Sequence, residues 1–312
     1  MLRRHFNLTL GSLALGSLAL RSYATGADAQ KGATFWLITR GKGRIFLLGF
    51  GEAKDKAWYS PLIQRALQES ADLWLEVGPE VETQDVAVKQ ANAKERKRLE
   101  HESGRTFFDA LQPEVRARIP QYLDSLGVKR ESIETLAPWR AYYVINSAFW
   151  SHTKVLYEQV FPDKVLFDDA VAQGKGVYYE MPTKMDFVRF SAAMPDAAQS
   201  EYISWLLDFI DDQRSGVNHD QFAWYAGKPA ESMRNLDRMR AKYPDLYKIM
   251  QPQRNGWWAQ KIAGLLAAGG THFIGIGMLH VLGPDGIPSQ LLRRGVVTPA
   301  ELKENPALAS FQ

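Results

Sequence analysis

The stretch that most constrains this chain is Thr271 to Gly295, THFIGIGMLHVLGPDGIPSQLLRRG. Its apolar run, His272 to Ile276, is of the kind that forms a buried strand. Gly275 and Gly277 let the backbone pass close to a neighbour, and His280 follows at once. Gly283-Pro284-Asp285-Gly286 is dense turn chemistry, and Ile287 to Arg294 reads as a short helix stopped by Gly295. A histidine at the carboxyl end of a buried strand sits where α/β folds place ligands and catalytic groups. The question is what His280 works with.

Composition narrows the answer. The 312 residues are 46% apolar and 12% aromatic, enough for a large core in one or two domains. Nine tryptophans and twelve tyrosines argue against disorder. Without cysteine, disulfides, zinc-thiolate sites and a cysteine nucleophile are excluded. Of the formal charge of +3, the first 29 residues supply +2, from Arg3, Arg4 and Arg21 against Asp28. The remainder is nearly neutral, which gives no support for a nucleic-acid partner.

Residues 1–29 read as an export signal. Arg3-Arg4-His5-Phe6-Asn7-Leu8 looks like a twin-arginine motif, and Thr9 to Leu20 is a mild apolar region diluted by Gly11, Ser12, Gly16 and Ser17. That region is shorter than the roughly 20 apolar residues a bilayer requires. Ala27-Asp28-Ala29 supplies a small-x-small cleavage site before Gln30. The expectation is a periplasmic mature protein of residues 30–312. It would touch the membrane only through an uncleaved signal.

Ala33 to Arg40 and Arg44 to Leu48 are β-rich runs joined through Gly41-Lys42-Gly43 as a hairpin, and the second ends in Gly49-Phe50-Gly51-Glu52. Ser60-Pro61 predicts a helix start. Leu73 to Val77 predicts a buried strand with Glu76 near its carboxyl end. Glu82 to Glu102 is charged and helical, with its basic residues interleaved with Glu95, Glu100 and Glu102 as on a solvated face. Phe107 to Trp150 predicts several helices punctuated by Pro113, Pro120 and Pro138, and Trp139 to Trp150 reads as a core helix. Lys164 to Phe167 and Gly176 to Met181 read as strands around a short helix from Asp168 to Gln173, which puts Glu180 near another strand end. Pro195 to Asp212 predicts an amphipathic helix, and more helices follow to Ala267. The economical architecture is one α/β domain of α+β character: a small mixed central sheet from N-terminal, middle and C-terminal strands with a large helical insertion.

Three strand ends therefore present polar groups: Gly49-Phe50-Gly51-Glu52, Glu76 and Gly277-Met278-Leu279-His280. Strands ending in carboxylate or imidazole, with glycine beside them, suit a metal-assisted site, because strands fix ligands and glycine leaves room. Other chemistries fail on spacing. Lys54 and His280 stand where dinucleotide loops need a third glycine, and His101-Glu102 is followed by Ser103, Gly104 and Arg105 rather than completing H-E-x-x-H. No Gly-x-Ser-x-Gly elbow occurs. His101, His152 and His219 read as exposed helical residues, and His272 as a surface or outer residue.

The run Gly277-Met278-Leu279-His280-Val281-Leu282-Gly283-Pro284-Asp285-Gly286, closing in Leu291-Leu292-Arg293-Arg294-Gly295, closely resembles the last motif of the TraB/GumN family, which includes the Tiki metalloproteases. Arg254-Asn255-Gly256-Trp257-Trp258 resembles the family's Arg-Asn-x-x-Trp helix, and Pro138-Trp139 its central Pro-Trp. Glu76 resembles its second-strand glutamate, and Glu180 after Gly174-Lys175 its Gly-Lys-x-x-x-x-Glu segment. The likeness covers roughly Ala33 to Val297. One departure stands out: the first of the family's two Gly-x-x-His motifs here ends in Glu52.

The resemblance implies a divalent-metal-dependent hydrolase, peptidase-like as in the Tiki proteins. Glu52 and His280 would bind the metal, with Glu76 as third ligand or general base. Arg254 would stabilise an oxyanion with Asn255 as polar helper, and Glu180, Gly49 and Gly277 would support them. Two carboxylates and one imidazole lean toward Mn²⁺, with Zn²⁺ or Co²⁺ as alternatives. A second reading is an inactive member that binds a peptide or small ligand in the same cleft. A third is a buried ion-pair network of His280, Glu76 and Arg254 that holds strands to helix. The substrate and oligomeric state stay open at this level.

Overall fold

Alternation and turn chemistry set the first elements. β1 (Phe35–Arg40) and β2 (Gly43–Phe50) pair antiparallel, with Arg40 opposite Gly43 and Gly41 at φ +57° in the tight turn between them. The remaining strands are β3 (Asp72–Val77), β4 (Gly176–Met181), β5 (Gly270–Gly277) and β6 (Leu302–Glu304). A computed structural model of the chain describes residues 34–51, 53, 55–78, 85–101, 104–153, 160–215, 230–305 and 308. The expected signal at residues 1–29, Glu52 and His219 lie outside the described residues.

The six strands form one mixed sheet in the order β4-β3-β5-β2-β1-β6. β4, β3, β5 and β2 run parallel, while β1 is antiparallel to both β2 and β6. β2 and β5 are central and covered on both faces, which is why they read as near-continuous apolar runs; Phe46, Leu47, Leu48, Phe273, Ile274 and Ile276 are all buried. Helices Val86–Leu99, Pro113–Leu126, Pro138–Thr153 and Pro162–Ala172 lie between β3 and β4 in sequence. Those from Lys184–Ala192 to Arg254–Ala268 lie between β4 and β5. The α/β architecture with a large helical insertion is the one expected.

Local signals hold in detail. Ser60 caps the helix Pro61–Glu69 by accepting from the Ile63 N–H, with Pro61 in its first turn. Helix Val86–Leu99 buries nothing, as a solvated helix should. Trp139, Tyr142, Ile145 and Phe149 are buried, and the Tyr142 ring stacks on Tyr202 of helix Asp196–Arg214 at 3.8 Å between centroids. Among the described residues no helix is long and apolar enough to cross a membrane.

Three expectations are corrected. Lys164 to Phe167 belongs to the helix Pro162–Ala172, not to a strand. A four-residue apolar run fits either period; Pro162 in the first turn and the buried stripe Pro162, Leu166 and Ala170 decide for the helix. Pro120 lies inside the helix Pro113–Leu126 instead of ending it. His272 is only 9% exposed, and its Nδ1 lies 2.9 Å from the Asp72 carboxylate. Asp72 and His272 are register partners at the amino ends of β3 and β5, at the opposite end of the strands from Glu76 and Gly277.

Gly43 carries a packing constraint. A Cβ there would lie 2.3 Å from the Leu266 carbonyl oxygen, so helix Arg254–Ala268 rests directly on the start of β2. Gly43→Ala should lower stability by about 1–3 kcal/mol in urea denaturation, as overpacking against backbone does. Gly264→Ala on the same helix, where a Cβ meets nothing within 4 Å, should raise it by roughly 0.5–1 kcal/mol.

Candidate functional site

The four parallel strands finish along one edge of the sheet, where Val77 pairs with Met181 and Phe50 with Gly277. Ligands collect outside the carboxyl ends of such strands. Glu76 of β3, Glu180 of β4 and His280, in the single helical turn Met278–His280 after β5, meet there. Glu52, two residues beyond β2 in sequence, lies outside the described residues.

Arg254 ties this edge together. It opens the helix Arg254–Ala268 directly after a π-helical turn, Ile249–Gln253, that contains Pro252. Such turns re-aim side chains and recur at functional sites. The Arg254 residue is 4% exposed. Its Nη2 donates to Glu76 Oε2 at 2.7 Å and to Glu180 Oε2 at 2.5 Å, and its Nε donates to Glu180 Oε1 at 2.9 Å. One turn along, Trp258 Nε1 donates to Glu180 Oε2 at 3.0 Å. The other Glu76 oxygen, Oε1, accepts from the Gly277 N–H at 2.5 Å. A Cβ at position 277 would sit 3.0 Å from that oxygen, so glycine is what lets β5 approach the carboxylate. Gly49 serves packing, since a Cβ there would lie 2.4 Å from the Val281 side chain, and Phe50 is buried with its ring against Gly275.

Asn255, the next residue, fixes His280. Its Nδ2 donates to the Asp285 carbonyl at 2.8 Å, so its Oδ1 faces the imidazole and lies 2.6 Å from Nδ1. That oxygen can only accept, so His280 Nδ1 carries a proton. The Asp285 carbonyl also accepts from Gln290 Nε2, which closes the turn around the histidine. His280 Nε2 is thereby left facing Glu76 Oε2 across 3.5 Å. Two acceptors at that distance are satisfied either by a proton on Nε2 or by a cation between them.

Charge follows the geometry. Burial alone would raise the Glu76 carboxyl, but the Arg254 guanidinium, His280 and the Gly277 N–H outweigh it and hold it well below the usual carboxylate range. Burial works against the Arg254 charge, yet Glu180 and Glu76 keep it firmly protonated. Counting these as ion pairs, one guanidinium between two carboxylates leaves one negative charge beside the Nε2 edge of His280. Asp163 adds a further carboxyl, half-buried near the start of the helix Pro162–Ala172; burial and the neighbouring Glu76 charge raise its pKa.

The expected residues Glu76, Glu180, Arg254, Asn255, Gly277 and His280 are thus brought into one buried cluster. Its direct ion pairs match the network reading, and its Nε2–Oε2 gap is the feature a cation could use. Among the described residues no group of three His, Asp or Glu side chains is placed to hold a metal ion. Sequence reasoning missed Asp163, because the misread Lys164–Phe167 strand concealed the helix start that presents it. It also missed the Asp285 carbonyl and Gln290, which act through Asn255; backbone acceptors leave no trace in residue identity.

No curated protein and no solved structure gives a significant match to the chain. One protein-family model does match, that of the TraB/PrgY/gumN family, and it covers residues 34–299. The match spans β1 to β5, the helical insertion and the buried cluster, leaving out only the short β6 of the sheet, and the chain belongs to the TraB/PrgY/gumN family.

Proposed function

We propose that the chain is an exported, periplasmic hydrolase of peptidase type whose reacting centre is the Glu76–His280 edge, completed by one divalent ion. The observation that carries this reading is the 3.5 Å gap between His280 Nε2 and Glu76 Oε2. Two ligands of one tetrahedral ion with bonds of about 2.1 Å lie roughly 3.4 Å apart, so the spacing suits a shared cation. The hydrogen bond from Nδ1 to Asn255 is of the kind that orients metal-bound imidazoles. The residual negative charge of the Arg254 pairs favours a cation in the same place. His280 and Glu76 would be two protein ligands, and Glu52 is the third donor this reading requires. Mn²⁺ fits such an oxygen-rich set best, with Zn²⁺ or Co²⁺ as alternatives. When bound, the ion would supply Lewis acidity and an activated water.

The chain's own groups then divide the work. Glu76 stays ionised and is a weak base, so it serves as ligand and anchor. Arg254 Nε and Nη2 are engaged by Glu76 and Glu180, so its role is to hold the carboxylates. The engagement of both Glu76 oxygens inside the protein favours a second reading, a family member that binds ligand without catalysis.

Titrating Mn²⁺ into purified mature protein should show one saturable site that a chelator empties. His280→Ala should abolish both the site and any peptide hydrolysis. Absence of binding in the wild type, together with binding in Glu52→His, would instead support the non-catalytic reading.

Glu76→Gln should cost about 1–3 kcal/mol of stability, because it weakens the charge-assisted bonds from Arg254 Nη2 and the Gly277 N–H while Arg254 keeps its pair with Glu180. The sign of its pH dependence follows from the depressed carboxyl. The stabilisation is fully present above the ordinary glutamate value of 4.5 and is lost as pH falls through the lower native value. The gap between wild type and variant in urea midpoints should therefore stay constant from about pH 7 to pH 5 and narrow below that.

A further inference from the structure

We propose that β4 is a docking edge on which an extended polypeptide adds as an extra strand, bringing its main chain up to the Glu180–Arg254–Glu76 cluster. The inference rests on the peptidase-type reading for its biological sense but on different atoms for its geometry.

The two edges of the sheet differ. β6 has three residues, LKE, and is short and charged, as protected edges are. β4 has six, GVYYEM, with no lysine and no proline. Its one charged side chain, Glu180, is turned inward onto Arg254 and Trp258. An edge of this length without protection invites pairing.

The phase of that edge can be fixed. The Met181 carbonyl accepts from the Gly78 N–H at 2.8 Å, so Met181, and by alternation Tyr179 and Val177, direct their main-chain groups toward β3. The N–H and C=O groups of Tyr178 and Glu180 therefore point off the sheet. Among the described residues no strand lies beyond β4.

Side-chain contacts line the approach. Tyr178 is 48% exposed and stacks on Trp74 at 4.7 Å. Lys261 Nζ lies 4.8 Å from the Trp74 ring and 5.6 Å from that of Trp257, which is 38% exposed. Trp257 is one turn from Arg254 on the same helix. An extended chain is the occupant this geometry suits, because the open groups are alternate main-chain donors and acceptors. The last of them belongs to Glu180, the residue whose side chain holds Arg254. A strand paired there ends at the cluster.

The test uses the full mature protein and reduced, carboxymethylated lactalbumin as an unfolded polypeptide probe. Fluorescence anisotropy should show saturable binding, and hydrogen exchange should show new protection at the Tyr178 and Glu180 amides. Tyr178→Pro removes an outward N–H, which edge strands tolerate, and should weaken binding about tenfold or more. Tyr178→Val keeps the main-chain pair and should stay within a few-fold of wild type. His280→Ala should still bind the probe while losing any hydrolysis; hydrolysis that survives in His280→Ala would sink the peptidase reading and leave the docking edge standing. The proposal is overturned if wild type does not bind the probe, if Tyr178→Pro folds and binds like wild type, or if the two amides gain no protection. It is equally overturned if size exclusion shows a dimer that Tyr178→Pro dissolves, which would make a second copy the occupant.

Discussion

The arrangement depends on one buried guanidinium. Arg254 spans the carboxylates of two neighbouring parallel strands, Glu76 on β3 and Glu180 on β4, almost wholly out of water. An unpaired charge in that position would cost several kcal/mol, so strands and helix must arrive together. The π-helical turn before Arg254 and the glycine at 277 are the backbone adjustments that let three elements reach one point. A buried ion triad of this kind is weak support for stability in itself, because desolvation offsets much of the attraction. Its stronger effect is on geometry: few other placements of the helix satisfy all three charges.

Successive residues of the same helix start extend that control to the histidine. Arg254 addresses β3 and β4, while Asn255 addresses the turn after β5 and sets the proton on His280 Nδ1. The imidazole orientation and the carboxylate position are thus coupled through one peptide unit. What is left over is a single negative charge and a facing pair of acceptors, Nε2 and Oε2. That facing pair is the point at which the ion-pair network and the proposed cation site share one geometry.

Much of this was legible in the chain. The Gly41-Lys42 turn, the Ser60 cap, the buried runs of β2 and β5, and the strand-end positions of Glu76, Glu180 and His280 all follow from periodicity and turn chemistry. Lys164 to Phe167 was ambiguous because four apolar-rich residues satisfy both periods, and Pro162 carried the deciding signal. His272 looked peripheral because its partner, Asp72, is 200 positions away and enters only through the parallel register of β3 and β5. The pairing of Arg254 with Glu180 was hidden for the same reason, whereas its pairing with Glu76 was part of the ion-pair reading. Sequence spacing has no term for contacts made by sheet order.

The same network constrains the C-terminal part of the chain. The carboxylates of Glu76 and Glu180, Nε and Nη2 of Arg254, the Asn255 amide and the Nδ1 edge of His280 find partners within the described cluster. Removing any one of those groups strands a buried charge or donor, a penalty felt by folding itself. The stretch from Arg254 to Gly295 is therefore constrained twice, by folding and by whatever occupies the Nε2–Oε2 gap.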